Sequence, residues 1–211
     1  MDAFTPQTEA ARAAISAAIR QRLHGQTSPM LVSIDGGSGS GKSTFARWIA
    51  EDHDATIVHG DDFFATRISD AAWDSWSPEQ RIAEAIDWRR LRHEVLAPLL
   101  AGKAASYHPF DFEAGVDAQG AYVLANRLVT LRPAPVIVLE GAYSSRPELS
   151  DLIELSVLLD VPPSVRHRRL ADREEAAFLE AWHRRWDAAE EHYLRRVRPP
   201  SGFDLVVKID S

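Results

Sequence analysis

Lys42 and Ser43 end a glycine-rich stretch, Gly36 to Ser43, that reads GGSGSGKS. It fits the spacing G-x-x-x-x-G-K-[ST], which cradles phosphate groups. The glycines let the backbone curl, so that the N–H groups of Gly36, Gly37, Ser38, Gly39, Ser40 and Gly41 face inward around anionic oxygens. Lys42 supplies a mobile cation for the terminal phosphates, and the Ser43 hydroxyl is placed to ligate Mg²⁺. A helix opening at Lys42 adds its positive N-terminal end, with Thr44 as a further residue of its first turn and no metal role. A flexible Gly/Ser linker has a similar composition. It would not be preceded by the apolar run Met30, Leu31, Val32 and Ile34, nor followed by Phe45, Trp48 and Ile49 on one helical face.

Two further carboxylate positions follow short apolar runs. Asp61 and Asp62 come just after Thr56 to His59, and Glu140 ends Val136 to Leu139. A carboxylate at such a strand end can accept a proton from a substrate hydroxyl or serve a divalent cation, directly or through water. Asp61 is the expected base and second metal contact, with Asp62 as its competitor. Glu140 is the expected Mg²⁺ group. A turn or cap is the ordinary role of such loop acids. The segment from Ser164 carries Arg166, Arg169 and Arg173 at i, i+3 and i+7, hence on one helical face. Such a face is either solvated and paired with Asp172, Glu174 and Glu175, or a mobile lid that stabilises charge on a migrating phosphoryl group. The eight His residues show no metal-binding spacing, and His183 and His192 read as surface residues of a charged helix.

The elements that must position these groups alternate. Thr8 to Leu23 reads as a packing helix, Met30 to Asp35 as a strand, and Lys42 to about Glu51 as a helix. Thr56 to His59 is a short strand, and helices are expected to about Leu100 after the Ser77-Pro78-Glu79 start. Three tryptophans here, Trp73, Trp76 and Trp88, either line a pocket or cover the core, and cover for the core is the preferred reading. Ala104 to Phe112 is expected to be irregular and extended, and Ala121 to Leu131 a strand pair or one strand. Val136 to Glu140 and Leu155 to Asp160 suit strands buried on both faces. A helical region from Ser164 to about Arg196, with a break near Glu174, precedes a last strand from Asp204 to Ile209. This order predicts an α/β domain with a five-stranded parallel sheet covered by helices on both faces, with ligands at the carboxyl ends of the strands. The whole of 1–211 is one domain, with an acceptor-binding insertion over about 65–131 and a helical lid over about 164–196.

A chain of 211 residues with 45% hydrophobic composition can bury a sizeable core. It contains no Cys, which excludes disulfides, Cys-based zinc sites and thiol nucleophiles. The net charge of −7 argues against a nucleic-acid partner. No apolar run approaches a membrane span, and MDAFTPQTEA lacks the regions of a signal peptide, so a cytoplasmic location is expected. No N-K-x-D or L-S-G-G-Q sequence is present to support a guanine-nucleotide switch or an ABC-type ATPase. No G-x-S-x-G nucleophile elbow occurs either.

With those residues in view, the chain resembles the phosphoribulokinase, uridine kinase and pantothenate kinase group of P-loop kinases, and the uridine kinase branch most of all. The resemblance is carried by GGSGSGKST at Gly36 to Thr44, GDDFF at Gly60 to Phe64, DWRRL at Asp87 to Leu91, HPFDF at His108 to Phe112, VLEGAY at Val138 to Tyr143 and the arginine segment. It implies the P-loop NTPase fold with a mobile lid, ATP and Mg²⁺, and transfer of the γ-phosphate to a hydroxyl of a small-molecule alcohol. It also implies Asp61 as base, Ser43 and Glu140 at the metal, and Arg166, Arg169 and Arg173 as lid arginines. The acceptor is expected near Asp62, Phe63, Trp88, Tyr107, Phe110, Asp111 and Tyr143. A homo-oligomer is left open. Two motifs depart from uridine kinases. Where that branch carries F-D-H-P-x-x-F-D, this chain reads RIAEAID at Arg81 to Asp87, and in Y-D-F-x-x-H Phe110 replaces the Tyr and Gly115 the His. A site built to hydrogen-bond a base binds it poorly once those groups are gone. The acceptors in view are a nucleoside-like alcohol, nicotinamide riboside, a pantothenate-like alcohol or a sugar. Outside the kinases, a regulatory NTPase or a non-catalytic nucleotide module would also use the Gly36 to Ser43 loop.

Overall fold

Thr5 caps the first helix: its side chain accepts from the Thr8 N–H, and helix α1 (Pro6–Leu23) follows. The structure, a computed structural model, describes residues 5–118, 120–172 and 176–210. In chain order come β1 (Met30–Asp35), α2 (Lys42–Asp52), β2 (Ala55–His59), α3 (Asp70–Ser75) and α4 (Pro78–Glu84). Helix α5 (Trp88–Arg90) runs through a π-helical stretch, Leu91–Leu96, into α6 (Ala97–Leu100). Then follow β3 (Ala105–Tyr107), β4 (Val129–Leu131), β5 (Val136–Glu140), β6 (Ile153–Asp160), α7 (Pro163–Ala171), α8 (Ala176–His192), which ends in a π-helical turn, and β7 (Leu205–Lys208).

The main sheet has five parallel strands in the order β2-β5-β1-β6-β7. Its strands alternate between two buried layers. Leu31, Val58, Ile137 and Leu139 pack under the Leu91–Leu96 stretch, α6 and α8, while Met30, Val32, Ile34, Val136 and Val138 pack under α1 and α2. Each such side chain taken fully from water contributes about 1.5–3 kcal/mol, so a strand that is apolar at every position is stable only between two layers. The register matters for function. Ile34 and His59 both pair with Glu140, so β1, β2 and β5 end together. One edge therefore carries the glycine-rich loop, the Gly60 to Phe63 turn and the Glu140-Gly141 step.

The expected fold class is the one observed, and five core strands are present. The insertion is more ordered than its sequence suggests. Ala105 to Tyr107 and Val129 to Leu131 pair antiparallel as a separate two-stranded sheet, with Ser106 and Thr130 hydroxyls 2.9 Å apart. These three-residue strands are too short to show a periodic pattern, and each is completed only by a partner more than twenty residues away. No helix among the described residues is long and apolar enough to cross a membrane.

Candidate active site

The glycine-rich loop is held from behind by Asp35, the last residue of β1. Asp35 is buried, and its carboxylate accepts from the N–H groups of Gly36 (2.7 Å), Tyr143 (3.0 Å) and Ser145 (2.8 Å) and from the Tyr193 hydroxyl (2.7 Å). Burial pushes the carboxyl above the usual Asp range, while these donors and the charge of Lys42 act to lower it. The same network holds Tyr143 with φ 65°, a left-handed conformation that costs a non-glycine residue about 1–3 kcal/mol. That strain aims the Tyr143 ring at the cavity and, edge-on, at Tyr193 (centroids 5.0 Å).

On its other flank the loop rests on α7 and α8. A Cβ on Gly39, at φ +80°, would lie 2.6 Å from the carbonyl oxygen of Arg166, so only glycine fits there. Arg166 donates to the Ser38 carbonyl (3.0 Å) and to Glu190 (2.8 Å). Glu190 in turn accepts from both the N–H (2.8 Å) and the hydroxyl (2.6 Å) of Ser38. Arg169 reaches the Gly39 carbonyl at 3.4 Å and lines the cavity, whereas Arg166 lies behind the loop. Arg173 lies outside the described residues.

Lys42 donates to the carbonyls of Gly36 (3.0 Å) and Gly37 (3.1 Å), across the mouth of the loop. Ser43 donates to Glu140, with both carboxylate oxygens at 3.2 Å. His59 Nδ1 sits 2.7 Å from Glu140 Oε1, and this hydrogen bond to Glu140 raises the imidazole against the opposing effect of its burial. The step after Glu140 is tight. A Cβ on Gly141 (φ +153°) would lie 3.3 Å from the Gly60 Cα, which explains a glycine facing a glycine between β5 and β2.

A cavity of about 630 Å³ opens over this edge, with Ser38 to Phe45 on one side and Asp61 and Glu140 in the floor. Phe64, Phe112, Tyr143, Trp182 and Trp186 form an aromatic wall, and Ala85 and Ile86 add apolar surface. Asp61 is open to the cavity yet enclosed by protein. Burial raises its carboxyl above the usual range, Lys42 opposes that, and Glu140 adds to it. A carboxyl held up in this way is a better proton acceptor than an ordinary surface Asp. Asp62 is engaged elsewhere: its carboxylate accepts from the Tyr107 hydroxyl at 2.6 Å.

Of the residues expected around the acceptor, only Tyr143 lines this cavity. Phe63 and Tyr107 are core residues stacked 4.8 Å apart. Trp88 opens α5 and lies beneath the guanidinium groups of Arg89 and Arg146. Phe110 is buried against Phe64, Phe112 and Tyr122, and Asp111 caps a turn by accepting from Glu113 and Ala114. For Phe63 and Tyr107 the reason is the direction of the 3₁₀ turn Gly60–Phe63 and of β3, which sends both side chains into the core cluster beneath α6 and α8. The wall comes instead from α8, whose Trp182 and Trp186 stand at i, i+4 among charged residues. With Leu179, Ala189 and Tyr193 they continue an apolar stripe at helical spacing, which is a sequence signal for this face. Glu190 gave no such signal.

No protein-family model matches the chain. It is 29% identical to a uridine kinase of Deinococcus deserti over 184 residues, covering 84% of this chain and 82% of the relative. It is 27% identical to a uridine kinase of Lactobacillus johnsonii over 176 residues, covering 81% and 78%. A solved structure described as a possible uridine kinase from Bacillus stearothermophilus superposes with a TM-score of 0.65 at 20% identity, covering 93% of this chain and 98% of the other. With a β1–α2 glycine-rich loop, five parallel strands in this order and these relatives over four-fifths of its length, the chain has the fold of the P-loop kinases and is similar in sequence to uridine kinases.

Proposed function

We propose that this protein is an ATP-dependent kinase that transfers the γ-phosphate to a primary hydroxyl of a small, nucleoside-like alcohol. The observation that carries the reading is one shared cavity: the phosphate loop, the Ser43–Glu140 pair and Asp61 open into the same space as an aromatic wall. The donor set fits Mg²⁺, since a Ser hydroxyl and a carboxylate at 3.2 Å are hard oxygen ligands. When bound there with ATP, Mg²⁺ neutralises phosphate charge.

The chain's own groups divide the remaining work. The N–H groups of Gly36, Ser38 and Ser40 are taken up by Asp35, Glu190 and the Gly37 carbonyl, so the phosphates fall to the other N–H groups of the loop and to the Lys42 ammonium. Asp61 accepts the hydroxyl proton as the alcohol attacks, a role its raised affinity for protons suits. Arg169, at the cavity rim beside Gly39, faces the region where charge develops. Phe64, Phe112, Trp182 and Trp186 offer faces on which a flat ring stacks.

The wall also bears on which alcohol is used. In the RIAEAID segment, Arg81 is buried and donates to the carbonyls of Trp73 (2.7 Å) and Arg185 (2.5 Å), while Asp87 caps α5. The same segment turns Ala85 and Ile86 toward the cavity. This supports an acceptor with a planar, largely apolar body over one dependent on many ribose hydrogen bonds. The test is ADP release from ATP·Mg²⁺ with a panel of nucleosides, nicotinamide riboside, pantothenate and sugars. The reading predicts strong stimulation by one flat-ringed alcohol. A slow rate indifferent to every acceptor would replace it with a regulatory NTPase.

A further inference from the structure

Away from the cavity, three side chains on the outer face of α7 and α8 converge. His167 Nε2 lies 3.2 Å from Asp187 Oδ2, and His183 Nδ1 lies 3.0 Å from Asp187 Oδ1. The two imidazoles are in contact, tilted by 52° with centroids 4.1 Å apart, and the three ligand atoms all lie within 4.8 Å of one another. His183 and Asp187 are i, i+4 on α8, and His167 comes from α7. No spacing within one element could announce the group.

Two imidazoles and one carboxylate form the donor set of a three-ligand transition-metal site with a fourth position for water. In a tetrahedral site with bonds of about 2.0–2.2 Å, neighbouring donors stand about 3.3–3.6 Å apart. The two imidazoles here engage different oxygens of Asp187, at 3.2 and 3.0 Å, so binding would rotate the partly exposed side chains to bring one oxygen and both ring nitrogens, already within 4.8 Å of one another, around a shared ion. Mg²⁺, which prefers oxygen ligands in an octahedron, is not suited to this set. We propose that His167, His183 and Asp187 bind one borderline dication of the Zn²⁺ class and so fasten α7 to α8.

The placement gives the site a consequence. Arg166 precedes His167, and Glu190 lies one turn beyond Asp187, so the metal would clamp the same two helices whose Arg166–Glu190 pair supports Ser38. The inference does not depend on the kinase reading, because its readout is metal binding.

The test is titration of the metal-stripped full chain with Co²⁺, then Zn²⁺ in competition, in excess Mg²⁺ so that the oxygen-rich Ser43–Glu140 pair is not the site measured. Wild type and Lys42→Ala should each take up one equivalent with visible d–d absorption. His167→Gln, His183→Gln and Asp187→Asn should each weaken that equivalent by at least roughly 10–100-fold. Thermal unfolding in EDTA should match wild type for all three, since the ligands are partly exposed. If one variant unfolds early, the other two decide. Uptake of Co²⁺ with the same stoichiometry and affinity in every variant, or no uptake by wild type, would overturn the proposal.

Discussion

Replacing Glu190 by glutamine turns the carboxylate oxygen that faces Arg166 into an amide N–H₂, donor against donor, at a site only 4% exposed. Breaking a buried ion pair in this way costs about 3–5 kcal/mol. Two features place this one at the low end. Arg166 keeps the carbonyls of Val161 (3.2 Å) and Ser38 (3.0 Å), and the remaining amide oxygen can still accept from the Ser38 N–H. The expected loss is about 3 kcal/mol, which for a chain of this size corresponds to a melting temperature lower by roughly 6–12 °C. Glu190→Ala, which also strands the Ser38 N–H, should approach about 5 kcal/mol. Urea unfolding gives the free energies, and pairing each variant with Arg166→Met gives the coupling. A Glu190→Gln protein within about 0.5 kcal/mol of wild type, the range of ordinary surface changes, would refute this account of how the loop is held.

Three shorter predictions accompany it. Lys42→Ala should lose most phosphoryl transfer with unfolding unchanged, as read by kcat and urea titration together; near-normal turnover would exclude the loop from the chemistry. Glu140→Gln should raise the Mg²⁺ concentration needed for half-maximal rate, while Asp62→Asn, whose effect passes through Tyr107, should leave that titration in place; a Mg²⁺ titration of both variants checks this. On α3, Tyr122 and Arg185 hold the Asp70 carboxyl below the usual range, and Arg185 holds Asp74 likewise. Carboxyls depressed in the folded state add stability that is present above their unfolded pKa and lost as pH falls through the folded one. Melting temperature should therefore drop between about pH 5 and pH 3, and less steeply in Arg185→Met, whose carboxyls are no longer depressed by Arg185; equal slopes would contradict this.

What could be read from the residues was chemistry of short range. Gly36 to Ser43 is legible because its whole residue pattern falls in eight consecutive positions. Glu140 is legible because a charge after four apolar residues must emerge where the strand ends. The acceptor wall was less so. Phe63, Tyr107 and Phe110 are aromatic neighbours of the motif residues, but the turn at Gly60–Phe63 and the β3–β4 pairing bury them. The cavity is walled in part by Trp182 and Trp186, more than seventy residues further along. Glu190 and the His167–His183–Asp187 group were hidden for the same reason, since each acquires meaning only from a partner on another element.

The central claim is that Asp61 and the phosphate loop act on one bound alcohol. Transfer of label from γ-labelled ATP to the acceptor found by the panel, compared between wild type and Asp61→Asn, tests it most directly. The account predicts labelled phosphoester on the primary hydroxyl with wild type, about 10²-fold slower formation with Asp61→Asn, and nearly unchanged nucleotide Kd. Label released only as inorganic phosphate, or transfer by Asp61→Asn at the wild-type rate, would contradict it.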